Sequence, residues 1–134
     1  MRTPFLIALF ALSACASTSA LSGKVANRDW QAQDVNGIPV VAGSKPLTLR
    51  IADGRAAGSS GCNNYSAPVI RSAADRIELG SIVSTRMACE PAVMEQEARF
   101  LAILAATRSY TRYGNGSLSL IAPDGRAIRF RPAA

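Results

Sequence analysis

Four dipeptides, Asn36-Gly37, Asp53-Gly54, Asn115-Gly116 and Asp124-Gly125, set the strongest limit on how this chain can fold. Asn-Gly and Asp-Gly are favoured where both central residues of a two-residue turn need positive φ, the type I′ condition that joins antiparallel strands. Four such signals within about 100 residues predict an antiparallel meander with type I′ turns. The segments between them alternate as half-buried strands do. Leu47, Leu49 and Ile51 share one face against Thr48 and Arg50, and Ile77 and Leu79 share one against Arg76 and Glu78. Leu118 and Leu120 alternate with Ser117 and Ser119, as do Ile128 and Phe130 with Arg129 and Arg131. Trp30 is expected to fill the core from the first strand.

One stretch breaks this period. From Pro91 to about Thr107 the chain reads PAVMEQEARFLAILAAT, with proline suited to the first helical turn. Met94, Ala98, Leu101 and Ala105 form one stripe, with Val93, Phe100 and Leu104 beside it and Glu95, Arg99, Ala102 and Ala106 facing away. The expected architecture is α+β: an antiparallel sheet curled into an incomplete barrel, with one amphipathic helix packed against it. A membrane-surface helix fits less well, because the polar side carries little positive charge.

The amino terminus has a separate logic. After Met-Arg-Thr, the run PFLIALFAL from Pro4 to Leu12 is uncharged, and Ser13-Ala14 brings small residues up to Cys15. This is the layout of a signal peptide. Its apolar core is too short to span a bilayer, which takes roughly 20 residues. The quartet LSAC at Leu12 to Cys15 resembles the lipobox of bacterial lipoproteins, which implies diacylglyceryl transfer to the Cys15 thiol and cleavage before it. An ordinary secretory signal cut after an Ala-x-Ala-like site is the alternative. Acyl chains add about 0.8 kcal/mol per buried methylene, so a triacylated Cys15 anchors durably. Ala16, in the place where Asp would retain the protein at the inner membrane, implies by resemblance to enterobacterial sorting an outer-membrane lipoprotein facing the periplasm, given a Gram-negative host. Residues 1–14 are thus expected as signal peptide, 15–23 (ending ASTSALSG) as lipidated tether, and 24–134 as a single domain.

Loss of Arg2 with the signal lowers the net charge from +6 to about +5. The arginines are scattered singly, without the clustered patch that nucleic-acid binding requires, so no nucleic-acid partner is expected. Once Cys15 is assigned to lipid, Cys62 and Cys89 remain. In an oxidising envelope this pair reads as a disulfide. Metal or redox pairing fits poorly, because the chain has no histidine and no CxxC spacing.

Two motifs stand out: GCNNYSAPV at Gly61 to Val69, and SIVSTRMACEPAVMEQEARFLAIL at Ser81 to Leu104. With the late strands SLSLIAPDGRAIRF at Ser117 to Phe130, they resemble the META/HslJ-like domain family from about Trp30 onward. The resemblance implies the same incomplete barrel with a helix, in bacterial envelope lipoproteins linked to heat or antibiotic stress and without an established catalytic activity. Ala67-Pro68 departs from the glycine and aromatic usual in the family, which puts the local strand path in question.

The candidate patch comprises Asn63, Asn64, Tyr65, Arg86 and Glu97. Gly61 to Tyr65 reads either as a binding loop of amides and a phenol or as a tight turn in which Gly61 and an asparagine take positive φ. Glu97 lies inside the apolar arc of the helix, where a carboxylate is costly without a partner, and Arg86 is the expected one. A polar pocket lined by Glu97 and Arg86 is the functional alternative. No catalytic residue, cofactor or metal is expected: without histidine there is no Ser-His or Cys-His couple, and Glu90 and Glu95 are not placed to converge with Glu97. The chain therefore reads as a monomeric, non-catalytic envelope module that binds or stabilises another envelope component, membrane-attached through its lipid. A secretin-pilot-like chaperone and an inhibitor of a wall-degrading enzyme are the alternatives.

Overall fold

The computed structural model of the chain describes residue 21 and residues 23–133. Cys15, the signal peptide and the start of the tether lie outside the described residues. Ten strands and one helix follow in order: β1 (Asp29–Val35), β2 (Ile38–Pro39), β3 (Thr48–Ala52), β4 (Arg55–Ser59), β5 (Asn64–Ser72), β6 (Ile77–Leu79), β7 (Val83–Ser84), α1 (Pro91–Ala106), β8 (Ser109–Arg112), β9 (Leu118–Ile121) and β10 (Ala127–Pro132). All pairings are antiparallel, in the spatial order β6-β5-β4-β3-β1-β10-β9-β8, with β2 beside β1 and β7 beside β5. The two ends of this order meet. An isolated bridge joins Arg76 to Ser109, and the Ile77 N–H donates to the Arg108 carbonyl at 3.2 Å. The sheet is thus a barrel closed except for one unsealed seam.

The turn chemistry holds at two of the four dipeptides and differs at the others. Asn36 and Gly37 have φ of 53° and 79°, and Asp53 and Gly54 have 52° and 72°, as type I′ turns require. At the later pair only Gly116 and Gly125 are positive, both at 90°. Their N–H groups donate to the Tyr113 and Ala122 carbonyls at 3.0 and 2.9 Å, which starts each turn one residue earlier. Pro123, with φ held near −65°, suits the first corner of such a turn, and the glycine then takes the left-handed closing position of a three-residue loop.

Alternation places Leu47, Leu49, Ile51, Ile77, Leu79, Leu118, Leu120, Ile128 and Phe130 in one core with Trp30, whose indole N–H donates to the Val25 carbonyl at 3.0 Å. The outward face of β9 is drier than its serines suggest. Ser117 and Ser119 are buried; Ser119 stands in register between Thr111 and Arg129. β5 runs through Pro68, and the pairing with β6 shifts register between Val69 and Arg71 instead of breaking.

The helix starts as its sequence indicates, with Pro91 in the first turn and the Met94 N–H donating to the Glu90 carbonyl. Its buried face, however, is rotated from the all-apolar stripe. Gln96, Glu97, Phe100, Ile103 and Leu104 are buried, whereas Ala98 and Ala105 are exposed and Met94 and Leu101 half-buried. Large side chains decide the rotation. Phe100 meets Tyr65 and Phe130 edge-on, with ring centroids 5.6 and 6.3 Å away, and the two polar residues that come inward with it find hydrogen bonds. No helix among the described residues is long and apolar enough to cross a membrane.

Candidate functional site

After β4 the chain makes a tight turn at residues 60–63, closed by the Ser60 N–H donating to the Asn63 carbonyl at 2.8 Å. Gly61 has φ of 110°, which an L side chain rarely adopts. No asparagine of this turn has positive φ, so glycine alone supplies the reversal. The turn aims successive N–H groups at one point, and Glu97 of α1 occupies it. Glu97 Oε2 accepts from the Cys62 N–H at 3.1 Å, the Asn63 N–H at 2.8 Å and the Ser60 hydroxyl at 2.9 Å, while Oε1 accepts from Asn63 Nδ2 at 2.6 Å.

These bonds answer the electrostatic problem of a carboxylate that is only 5% exposed. Burial by itself pushes the Glu97 pKa up. The donations from the Asn63 side chain and backbone, Ser60 and Cys62 outweigh it and hold the carboxyl below its ordinary value. Glu97 is therefore an ionised hub.

Asn63 extends the hub to a third segment. Its Oδ1 accepts from the Met87 N–H at 2.7 Å and the Thr85 hydroxyl at 2.9 Å, and its Nδ2 also donates to the Met87 carbonyl at 3.1 Å. With the bond to Glu97, all four hydrogen-bonding positions of the amide are engaged. The Cys62–Cys89 disulfide ties the same two segments covalently, with Cα atoms 6.0 Å apart. Gln96 makes the matching connection on its side of the helix: Oε1 accepts from the Val41 N–H at 2.7 Å, and Nε2 lies 3.3 Å from Ser44 Oγ. Two adjacent polar residues of α1 thus pin two loops to it.

The expected patch is only partly assembled. Asn63 and Glu97 meet, but Arg86 is exposed, and no ion pair joins it to Glu97 among the described residues. The reason is geometric: the carboxylate faces the turn, where two backbone N–H groups, the Asn63 amide and the Ser60 hydroxyl together make four donations and leave no need for a guanidinium. Tyr65 is a core residue, its hydroxyl donating to the Thr48 carbonyl at 2.8 Å, and burial pushes its phenol pKa well up. Asn64 is exposed, linked to Thr85 through backbone and hydroxyl. Gly61 to Asn63 takes the tight-turn geometry, with the positive φ on Gly61 and not on an asparagine. Sequence reasoning singled out Glu97 but not Gln96, although Gln96 stands on the same apolar arc. Glu90 and Glu95 are exposed and do not approach Glu97's donors. Among the described residues no group of three or more His, Cys, Asp or Glu side chains could hold a metal ion.

Compared with known proteins, residues 23–134 match the META domain. The chain belongs to the META domain family. Two solved structures share the META-domain architecture seen here. One is an NMR structure of a protein from Burkholderia xenovorans, 21% identical over 82% of this chain and 84% of that one, with a TM-score of 0.63. The other is an NMR structure 20% identical over 81% of this chain and 91% of its own, with a TM-score of 0.64. At these identities the likeness speaks for the META fold alone. No curated protein matches the chain. Within this META domain, the two motifs of the resemblance are the turn, the disulfide-linked segment and the helix that Glu97 and Asn63 hold together.

Proposed function

We propose that this META domain is a non-catalytic module of the bacterial cell envelope, tethered through a lipidated Cys15, that binds or stabilises another envelope component under heat or antibiotic stress. The state of Glu97 carries the non-catalytic part of this reading. It is the one buried carboxylate among the described residues, and a general acid or base works best with a pKa near the operating pH and reach to substrate. Glu97 has the opposite properties, being held ionised and consumed by internal donors. The lipobox-like LSAC supports the tether, and the Cys62–Cys89 bridge agrees with an oxidising compartment.

A pilot-like chaperone role remains a second reading, favoured by one observation. A cavity of about 330 Å³ opens where the tether joins the barrel, lined on one part by Leu21, Ile51, Ala52 and Val69 and on another by Asn27, Asp53 and Ser72. Both readings are tested by crosslinking the tethered protein in native envelopes and identifying what it captures, alongside radiolabelled palmitate incorporation. Specific capture of an envelope component with labelled Cys15 supports the proposal, and a secretin subunit as the main capture favours the pilot. A chain that takes up no palmitate and keeps its amino terminus in the cytosol overturns both.

A further inference from the structure

The polar groups around Glu97 are spent on one another, but a second polar concavity has groups to spare. On the outer face of the sheet, over β1, β9 and β10 and bounded by the Asn36-Gly37 and Asn115-Gly116 turns, lies an open groove of about 440 Å³. That volume is within the range of small-ligand sites, roughly 300–1,000 Å³.

Its charge is internally cancelled. Asp34 Oδ2 accepts from Arg129 Nε and NH2 at 2.9 and 2.7 Å, and Asp34 Oδ1 accepts from the Gly37 N–H at 3.1 Å. The groove therefore presents a neutralised pair that still offers guanidinium donors, which suits an uncharged polar ligand better than an anion or a cation. Around this pair stand amides without internal work. The side-chain amides of Gln33 and Asn36 enter no hydrogen bond among the described residues, and Asn115 uses only its Oδ1, leaving Nδ2. Gln33 is the unpaired residue of a β-bulge, where the β1–β10 register shifts between Ala32 and Asp34. A bulge at such a place re-aims a side chain, here into the groove.

The remaining feature is aromatic. Tyr113, the residue after β8, is 46% exposed and lines the groove. An amphipathic ring beside amide donors and acceptors, with no net charge, complements one chemical class well: a ring with an apolar C–H face and a hydroxylated or amide-bearing rim. We propose that this groove binds a neutral saccharide segment, with Tyr113 stacking on a sugar face and Gln33, Asn36 and Asn115 pairing with hydroxyl or acetamido groups. This deepens, and rests on, the reading of the domain as a binding module by naming the class of envelope component.

The test is titration of the full-length protein in detergent micelles with a neutral N-acetylglucosamine tetramer, followed by NMR of the Tyr113 ring and the Gln33 and Asn36 side-chain amides. Parallel titrations use an acidic oligogalacturonate and an uncharged hexapeptide. The inference expects saturable shifts at these three residues with the neutral glycan, and an affinity weakened about tenfold or more in Tyr113→Ala and in Gln33→Ala. Both positions are on the surface, so unchanged melting temperatures confirm folded variants. No shifts with the neutral glycan, shifts unaffected by both substitutions, or stronger binding of the peptide or the acidic glycan would overturn it. Capture of envelope proteins in the crosslinking experiment despite such a failure leaves the module reading standing. Absence of lipid on Cys15 sinks the envelope reading without altering the groove titration.

Discussion

Asn63 Nδ2 and Glu97 Oε1 lie 2.6 Å apart, joining residues 34 positions distant in sequence. The Asn63 backbone N–H reaches the other oxygen of the same carboxylate at 2.8 Å. One asparagine thus binds the helix to the turn twice, while the rest of its amide holds Thr85 and Met87. Removing the carboxylate takes away the acceptor of four donors; the Ser60 hydroxyl still has the Asn63 carbonyl at 2.9 Å, whereas the Cys62 and Asn63 backbone N–H groups lose the acceptor they use. An orphaned buried donor costs about 1–3 kcal/mol.

Glu97→Ala is therefore expected to lose about 3 kcal/mol in chemical denaturation. Glu97→Gln keeps the amide oxygen as an acceptor but turns the amide NH2 toward other donors, and should fall between. Arg86→Ala, at an exposed side chain with no ion pair to Glu97, should stay within about 0.5 kcal/mol of the parent. A loss in Arg86→Ala matching that of Glu97→Ala would contradict the observed hub.

Acid should unfold the domain partly through Glu97. Its folded pKa is below the ordinary 4.5, so its stabilisation is complete above that value and disappears as pH falls from there through the lowered folded pKa. Melting temperature measured against pH should drop more steeply below 4.5 in the parent than in Glu97→Gln. Parallel curves for the two proteins would rule out this role.

The Cys62–Cys89 bridge should leave neither residue open to alkylation in unreduced protein, as intact mass reports. It closes a loop of sequence separation 27, for which the chain-entropy relation gives about 3.5 kcal/mol. A Cys62→Ser/Cys89→Ser double variant is expected to lose a stability of that order and still fold, because the Asn63 amide continues to join the two segments.

Among the described glycines, Gly58 has the least room for a side chain. It stands opposite Tyr65 in the β4–β5 register, and the Tyr65 hydroxyl reaches Thr48 across β4. A Cβ at Gly58 would fall well inside contact distance of the Thr48 carbonyl, a backbone group that cannot swing aside. Gly58→Ala should cost about 2 kcal/mol or more, read as a lower denaturation midpoint. By contrast, Gly114→Ala would meet nothing within 4 Å, so a similar loss there would point to a cause other than crowding.

How far the chain could be read in advance depended on the range of the interaction. Alternation of Leu47, Leu49 and Ile51 and the Pro91 helix start are local, and both are found in the fold. The helix rotation was not legible. Ala98 and Ala105 complete an apolar stripe on paper, yet alanine contributes little area, and the large rings of Phe100, Tyr65 and Phe130 turn Gln96 and Glu97 inward instead. That Glu97 needs a partner followed from its place on the arc. Which partner did not, because the turn's N–H groups come from a segment more than 30 residues away.

By itself the amino-acid order determined an antiparallel sheet with one helix, the two residues available for a disulfide, and the buried carboxylate. These follow from period, turn chemistry and counting, which act over a few residues. Tertiary structure alone decided that the barrel stops at one seam between β6 and β8, that Asn63 outcompetes Arg86 for Glu97, and that Gln33, Asn36, Tyr113 and Asn115 share one groove. The physical reason is that hydrogen bonds need donors and acceptors within about 3 Å and in line. Only the folded chain sets which distant groups meet at that distance.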